Sequence, residues 1–412
     1  MKKKKILIIL FLFIIVITII GLTVYIPLYK EYKAKKEEEL RIANATIIVE
    51  LKEDLTAAFY SDIKVSDFIE NINGELIEDF QIDTTNLGEK VVKFKYVNDE
   101  DITIPYKYII NIVDNVPPSI WLSENMYLNV GATDNLLANI TCVDNLDDDP
   151  YCEIIGEYDL NAIGNYPLTI KATDASGNET IQDFTLHIKE PSGNSSSSKS
   201  TSTPDYFSDI VAAYKTADNI KVGIDVSSWQ GDIDFEQVKN DGCEFAFIRV
   251  GSTRGIDGEY FEDSKFQRNI EGFTSVGIPV GIYFYSYAKT KEAAINDAKW
   301  VIEHLDGYKI DLGVAYDFES WSFYNEYHQS FYTTTMNAKA FLDTLKDAGY
   351  TGINYSSKRY LETVWYPLEY DTWLAHYTKQ TTYAGKYKYW QLTSTGKIDG
   401  IKGYVDIDLM YE

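Results

Sequence analysis

From about Ile220 to the C-terminus, apolar runs of strand length alternate with segments of helical period, and this alternation limits the fold more than any other feature. The runs are Val222–Val226, Phe245–Val250, Val280–Tyr287, Gly313–Phe318 and Gly352–Tyr355. Between them lie the helical patterns Phe235–Asp241, Tyr260–Val276, Lys291–Leu305 and Thr333–Ala348. Gly242, Gly277, Gly307 and Gly349 fall where a helix closes on a left-handed residue. Strands alternating with helices imply a parallel sheet. After Tyr355 the rhythm changes to a short Tyr360–Trp365 segment and three strand-like runs, Thr372–Tyr377, Tyr387–Leu392 and Tyr404–Met410. A β/α barrel whose last third has lost its long helices reads this way, and such barrels place their chemistry at the C-terminal ends of the strands.

One strand end is acidic. In Val314-Ala315-Tyr316-Asp317-Phe318-Glu319-Ser320 the two carboxylates stand at i and i+2 and share one face of a strand. Carboxylates held that close cannot both ionise freely, so one is kept as an acid, the minimum equipment for protonating a glycosidic oxygen; taken alone, such a pair is more commonly an alternating acidic edge strand. Asp225 sits at another such end; as an isolated residue it is equally a turn or N-cap before Ser227-Ser228. Asp406 is on its own equally an edge-strand residue. Aromatic rings gather at the same ends, and sugar rings stack on aromatic faces while hydroxyl and indole N–H groups bond sugar hydroxyls. Trp229, Tyr285, Tyr355, Tyr377 and Trp390 are the rings expected in a groove; the others are expected to fill core. His187, His304, His328 and His376 show no zinc-ligand spacing, and the chain has no Gly-x-Ser-x-Gly elbow or phosphate loop, so no metal or cofactor is expected.

Gly223-Ile224-Asp225-Val226-Ser227-Ser228-Trp229-Gln230-Gly231, Asp317-Phe318-Glu319, Trp390-Gln391 and Val405-Asp406-Ile407-Asp408, in that order, resemble the signatures of glycoside hydrolase family 25, the N-acetylmuramidase-type lysozymes. The resemblance covers residues 219–412. It implies an irregular, TIM-like β/α barrel of five βα units followed by three strands. It implies Glu319 as general acid, with Asp317, Asp225 and Asp406 as the other pocket carboxylates. It further implies cleavage of the β-1,4 bond between N-acetylmuramic acid and N-acetylglucosamine in peptidoglycan. Whether water attacks under base assistance or the sugar's own acetamido group acts as nucleophile stays open. Many relatives carry Asn where this chain has Asp408, so either Asp406 or Asp408 faces the pocket. The alternative is a wall-binding or adhesive protein whose barrel keeps glycan recognition without turnover.

The rest of the chain is of another kind. Residues 1–5 read as a cytoplasmic tail and 6–28 as a transmembrane helix, because Ile6 to Ile26 is uncharged and apolar, follows Lys2–Lys5 and offers no small-residue cleavage site. Lysines on both sides leave the orientation to function, and a peptidoglycan substrate puts the C-terminal domains outside the cell membrane. Residues 29–42 read as a juxtamembrane segment. Residues 43–114 and 115–190 contain a repeat: Leu87-Gly88 and Ile163-Gly164 each open an alternating strand. With its Asp/Gly/Asn turns the second copy, and more weakly the first, resembles bacterial immunoglobulin-like modules. Cys142 and Cys152 either form a local disulfide or stay free, and the acidic loop Asp144–Asp149 is either a calcium loop or a solvated one. Residues 191–218 contain a Ser/Thr-rich linker and lead-in, expected to give the barrel reach. The net charge of −25 excludes nucleic acid as a partner and gives no electrostatic attraction to an anionic wall.

Overall fold

The computed structural model describes residues 11, 18, 21–133, 135–191, 203–216, 219–319 and 324–412. The chain divides into two compact units, Met1–Asn115 and Val116–Glu412. Most of the expected membrane span lies outside the described residues. Among the described residues no helix is long and apolar enough to cross a membrane. The segment read as juxtamembrane is helical: Ile26–Asn44 forms one solvent-exposed helix braced by Lys33–Glu37 and Arg41–Glu38 ion pairs.

The first unit holds a sheet ordered Thr56–Ala58, Thr103–Val113, Gly88–Asn98, Gly74–Leu76, with a small second sheet of Val49–Leu51 and Ile69–Ile72. The second unit opens with the same plan: Tyr151–Ile155, Gly164–Thr173, Glu179–Lys189 and Asn125–Asn129 in one sheet, Ser119–Trp121 and Thr141–Val143 in another. The sequence repeat marks the long hairpin of each: Gly88 lies opposite Ile112, and Gly164 opposite Ile188. Alternate residues of these hairpins, Ile104 and Ile110 in one and Ile170 and Leu186 in the other, are fully buried. Cys142 and Cys152 are joined in a disulfide.

The rest of the second unit is a closed barrel. Its strands are β1 (Ile220–Val226), β2 (Ala246–Thr253), β3 (Val280–Tyr285), β4 (Val314–Asp317), β5 (Gly352–Ser357), β6 (Asp371–Ala375), β7 (Tyr389–Lys397) and β8 (Val405–Tyr411). Neighbours from β1 to β7 pair in parallel, and β8 closes the ring antiparallel to both β7 and β1. Five strands are each followed by a helix: α1 (Phe235–Asn240), α2 (Phe266–Ser275), α3 (Lys291–Leu305), α4 (Phe331–Asp347) and α5 (Lys358–Thr363). The second helix is shorter than its pattern suggested. Tyr260–Glu262 pairs with β2 as a short strand, because these residues cover the end of β2 before Asp263 turns the chain into α2.

Inside the barrel Phe247 stacks on Trp373 at 4.2 Å, edge-on to Tyr389 at 5.0 Å. Gly281 makes room for that ring, since a Cβ there would collide with Phe247. Outside, α3 and α4 bury Val301, Leu305, Phe341 and Leu345 against the strands.

The second all-β module packs on the barrel rather than standing off it. Its Asp144–Asp149 loop receives Phe331 N–H at the Asp144 carbonyl (2.9 Å) and Tyr332 N–H at the Asn145 carbonyl (3.0 Å). The Asp148 carboxylate accepts from Ser330 N–H at 2.6 Å and Thr333 Oγ1 at 2.7 Å, at the start of α4. Trp121 stacks on Phe331 with centroids 5.8 Å apart. Within the loop one oxygen of Asp144 accepts from Leu146 and Asp147 N–H, and Asp147 accepts from Asp149 and Ala175 N–H, while the Asp144 and Asp174 carboxylates lie close enough together to share a cation. We expect a fragment of residues 116–412 to melt in one transition, and a fragment of 205–412 to be less stable by about 2 kcal/mol or more, from one charged hydrogen-bond pair and one ring stack. Denaturant titration of both fragments checks this; equal stabilities would show that the contact carries no weight.

Candidate active site

Parallel strands carry side chains of alternate residues inward, and at their C-terminal ends these meet in a pocket of about 330 Å3. Asp225 from the end of β1, Asp317 from β4, Glu319 just beyond it and Asp406 from β8 line it. Trp229, Tyr285, Tyr355 and Tyr377 line it too. The four acids and four of the five rings expected from sequence thus converge.

Trp390 does not. It points outward from β7, is 3% exposed, donates its indole N–H to the His376 carbonyl at 2.9 Å and meets Tyr214 edge-on. The pocket residue is its neighbour Gln391, whose Nε2 donates to Asp225 at 2.7 Å while its Oε1 accepts from Tyr355 at 2.9 Å and Tyr377 at 3.0 Å. Gln391 therefore fixes the orientation of one acid and two rings with a single amide.

Arg249, Tyr283 and Trp373 also line the pocket, beyond the residues expected from sequence. A lone arginine inside the apolar run Phe245–Val250 was the available signal for the first, since a buried strand accepts a charge only with a partner. That partner is Asp263, whose Oδ2 receives Nε at 2.8 Å and Nη2 at 2.6 Å. The same Oδ2 accepts the Ser228 N–H at 3.0 Å, tying Arg249 to the turn that carries Trp229.

The acids occupy two depths. Asp225, Asp317 and Asp408 are buried; Asp406 is half-buried, and Glu319 stands open at the rim. Burial pushes the Asp317 carboxyl well above the ordinary range, Glu319 adds to this, and Arg249 opposes it. Glu319 is raised as well, through crowding by the pocket walls; its exposure lets solvent damp that rise, and the Tyr355 hydroxyl favours its charged form. Burial, then the neighbouring Asp406 and Asp408, raise Asp225 strongly. Burial lifts Asp406 to about 6.

Asp406 and Asp408 share the inward face of β8, and the two differ in depth rather than direction. Asp406 lines the pocket, whereas Asp408 is fully buried beneath it, accepts the Trp373 indole N–H at 2.8 Å and lies within hydrogen-bonding reach of Asp225. Burial raises both carboxyls, and Asp225 and Asp408 lie close enough to share a proton. The free thiol lies outside this chemistry: Cys243 is buried and burial pushes it up to about 12.

Trp229 is 84% exposed on the 3-10 turn Ser228–Gln230. Ser227 caps that turn, Gln230 bonds back to the Ser227 N–H at 2.8 Å, and Gly231 ends it in the left-handed region at φ 67°. An indole held in water by so many local bonds is built to receive an apolar face. Trp229→Ala should raise KM on soluble glycan fragments about tenfold with little change in kcat. Steady-state kinetics check this, and an unchanged KM would remove the ring from the binding surface.

Residues 224–401 match the family described as Glycosyl hydrolases family 25. The autolytic lysozyme of Clostridium acetobutylicum is 27% identical over 192 residues, covering 45% of this chain and 54% of that protein. Lysozyme M1 of Streptomyces globisporus is 24% identical over 212 residues, 45% of this chain and 65% of its own length. This chain thus spans about half the length of the Clostridium lysozyme it matches. Among solved structures, the modular autolysin LytC from Streptococcus pneumoniae is similar at 25% identity and a TM-score of 0.42, over 59% of this chain and 56% of its own.

Proposed function

We infer, from a family 25 glycosyl hydrolase domain over residues 224–401, that the chain is a peptidoglycan hydrolase cleaving the β-1,4 bond between N-acetylmuramic acid and N-acetylglucosamine. The observation that carries this is the pocket itself: four carboxyls of graded depth meet beside an exposed Trp229. Burying several carboxyls together costs stability, and a surface that only held sugars would need aromatic rings and neutral donors rather than acids. Glu319, at the rim and raised towards the protonated form, donates to the leaving oxygen. Asp317 beneath it shares the proton and answers positive charge at the anomeric carbon. Asp406 ionises more readily than the deeper Asp225, so it is the carboxylate placed to assist water or to orient the acetamido group.

Purified peptidoglycan incubated with the chain should release soluble fragments carrying new reducing ends. A protein that sediments with the wall but releases none is the adhesive alternative.

Anchoring in the cell membrane, with the barrel outside, is part of the same proposal. The apolar run Ile6–Ile26 after four lysines supports it, as does the Cys142–Cys152 bond, which suits an oxidising exterior. The all-β modules are read as immunoglobulin-like spacers on the strength of their two-sheet plan. The full chain should stay with membranes through high-salt washing. Recovery of a soluble protein beginning near residue 27 would show a cleaved leader instead.

A further inference from the structure

The barrel has a second groove, on its outer wall. Long helices cover the outward faces of the early strands; over the later ones the short helix Phe207–Tyr214 meets β7 through Tyr214 and Trp390, and loops supply the rest of the cover. Where β6 and β7 begin, those loops leave an opening of about 860 Å3 at the end of the barrel away from the acids. It shares no lining residue with the catalytic pocket. Its walls are Trp365, Tyr370, Tyr383, Tyr387 and Tyr411, all half-buried, with Asn354 from β5 at the floor.

Three of the rings adjoin one another. Tyr387 meets Tyr411 edge-on at 5.5 Å, and Tyr383 lies 6.2 Å from Tyr387 at 45° to it. The charges nearby cancel: Lys388 Nζ bonds Asp371 at 2.9 Å, the Tyr370 hydroxyl donates to Asp343, and Lys386 and Glu369 offset each other on the lining. Asn354 is 3% exposed, and its buried Oδ1 has no hydrogen-bond partner among the described residues. An amide at the floor with bonds left to make favours an occupant that brings hydrogen-bonding groups of its own. Apolar ring faces, no net charge and an amide at the floor describe a neutral pyranose, with C–H faces to stack and hydroxyl or acetamido groups to hydrogen-bond. An anionic polymer finds no unpaired excess of cations here.

We propose that this outer groove is a non-catalytic binding site for a neutral N-acetylated saccharide, giving the barrel a second hold on glycan separate from the acidic pocket. The assignment stands on the groove's own chemistry and needs no turnover at Glu319. Its use as a hold on wall glycan rests on the function proposed above. With a net charge of −25 the chain has no long-range attraction to an anionic wall, so a short-range hold is what it lacks.

The test uses the full chain in detergent and a soluble pentamer of N-acetylglucosamine. In the unaltered protein, the pentamer should protect Tyr383 and Tyr387 from hydroxyl-radical labelling, independently of Trp229 in the catalytic groove. The same protection should persist in Glu319→Gln, which separates binding here from any failure of hydrolysis. Tyr383→Ala with Tyr387→Ala should weaken retention on insoluble peptidoglycan about tenfold, the equivalent of one stacked ring, with the rate on short soluble fragments unchanged. Unprotected Tyr383 and Tyr387 at a concentration that shields Trp229, or full retention by the folded double variant, would overturn the proposal.

Discussion

Glu319→Gln lowers turnover on peptidoglycan by about a hundredfold or more, the loss expected when a positioned general acid is removed. Gln keeps the shape of the side chain and has no proton to give. Because Glu319 is open to solvent at the rim, the substitution leaves the core alone and the melting temperature should not move. The pH profile adds a second readout. With Glu319 as the proposed acid, activity should fall as pH rises through its raised pKa. The same proposal calls for a charged carboxylate opposite, and Asp406, lifted to about 6, supplies that charge only as pH rises through about 6. The wild-type kcat/KM should therefore be bell-shaped. The Gln variant should lose the alkaline limb and keep the acid one. Near-normal turnover in folded Glu319→Gln removes it from the role.

Asp408→Asn stabilises the barrel at neutral pH by about 1–3 kcal/mol, the cost of a buried polar atom left unsatisfied. Asp408 is fully buried, one oxygen accepts the Trp373 indole N–H at 2.8 Å, and the other has no donor apart from a proton shared with Asp225. Asn keeps the acceptor for Trp373 and brings its own N–H2 towards Asp225. The sign with pH follows from the raised folded pKa of Asp408, caused first by burial. The folded state holds the proton that the unfolded state releases, so Asp408 destabilises the fold increasingly as pH rises above its unfolded value of about 3.9. Below that value both states are protonated and the penalty vanishes. Denaturant titrations of parent and variant should diverge with rising pH and converge in acid. A constant gap across the range would mean that the effect is packing, with no linked proton.

Much of the site was legible because strand periodicity is a two-residue code. It places Asp317 beside Glu319, and it puts Asp406 and Asp408 on one face, though it cannot tell which lies deeper. It also explains the one misplaced ring. Strands of a covered barrel bury rings on both faces, so Trp390 reads equally as pocket or outer core, and the closed sheet shows Trp390 outside and Gln391 within. Arg249 was readable as a charge in a buried run. The packing of the second module on α4 was not. It joins the Asp144–Asp149 loop to Ser330–Thr333 across more than 180 residues of sequence, in part through backbone groups that every residue possesses and in part through the Asp148 carboxylate, whose partner no local pattern names.

Which glycosidic bond is cut can be read directly from the new ends. Purified peptidoglycan is digested with the full chain, the products are reduced with borohydride, and the modified terminal sugar is identified by mass spectrometry. Cleavage on the muramic acid side leaves muramitol at the new reducing ends, and this is the predicted result. Glucosaminitol at those ends would assign the opposite bond and contradict the account. Products with no newly reduced sugar would contradict hydrolysis of a glycosidic bond.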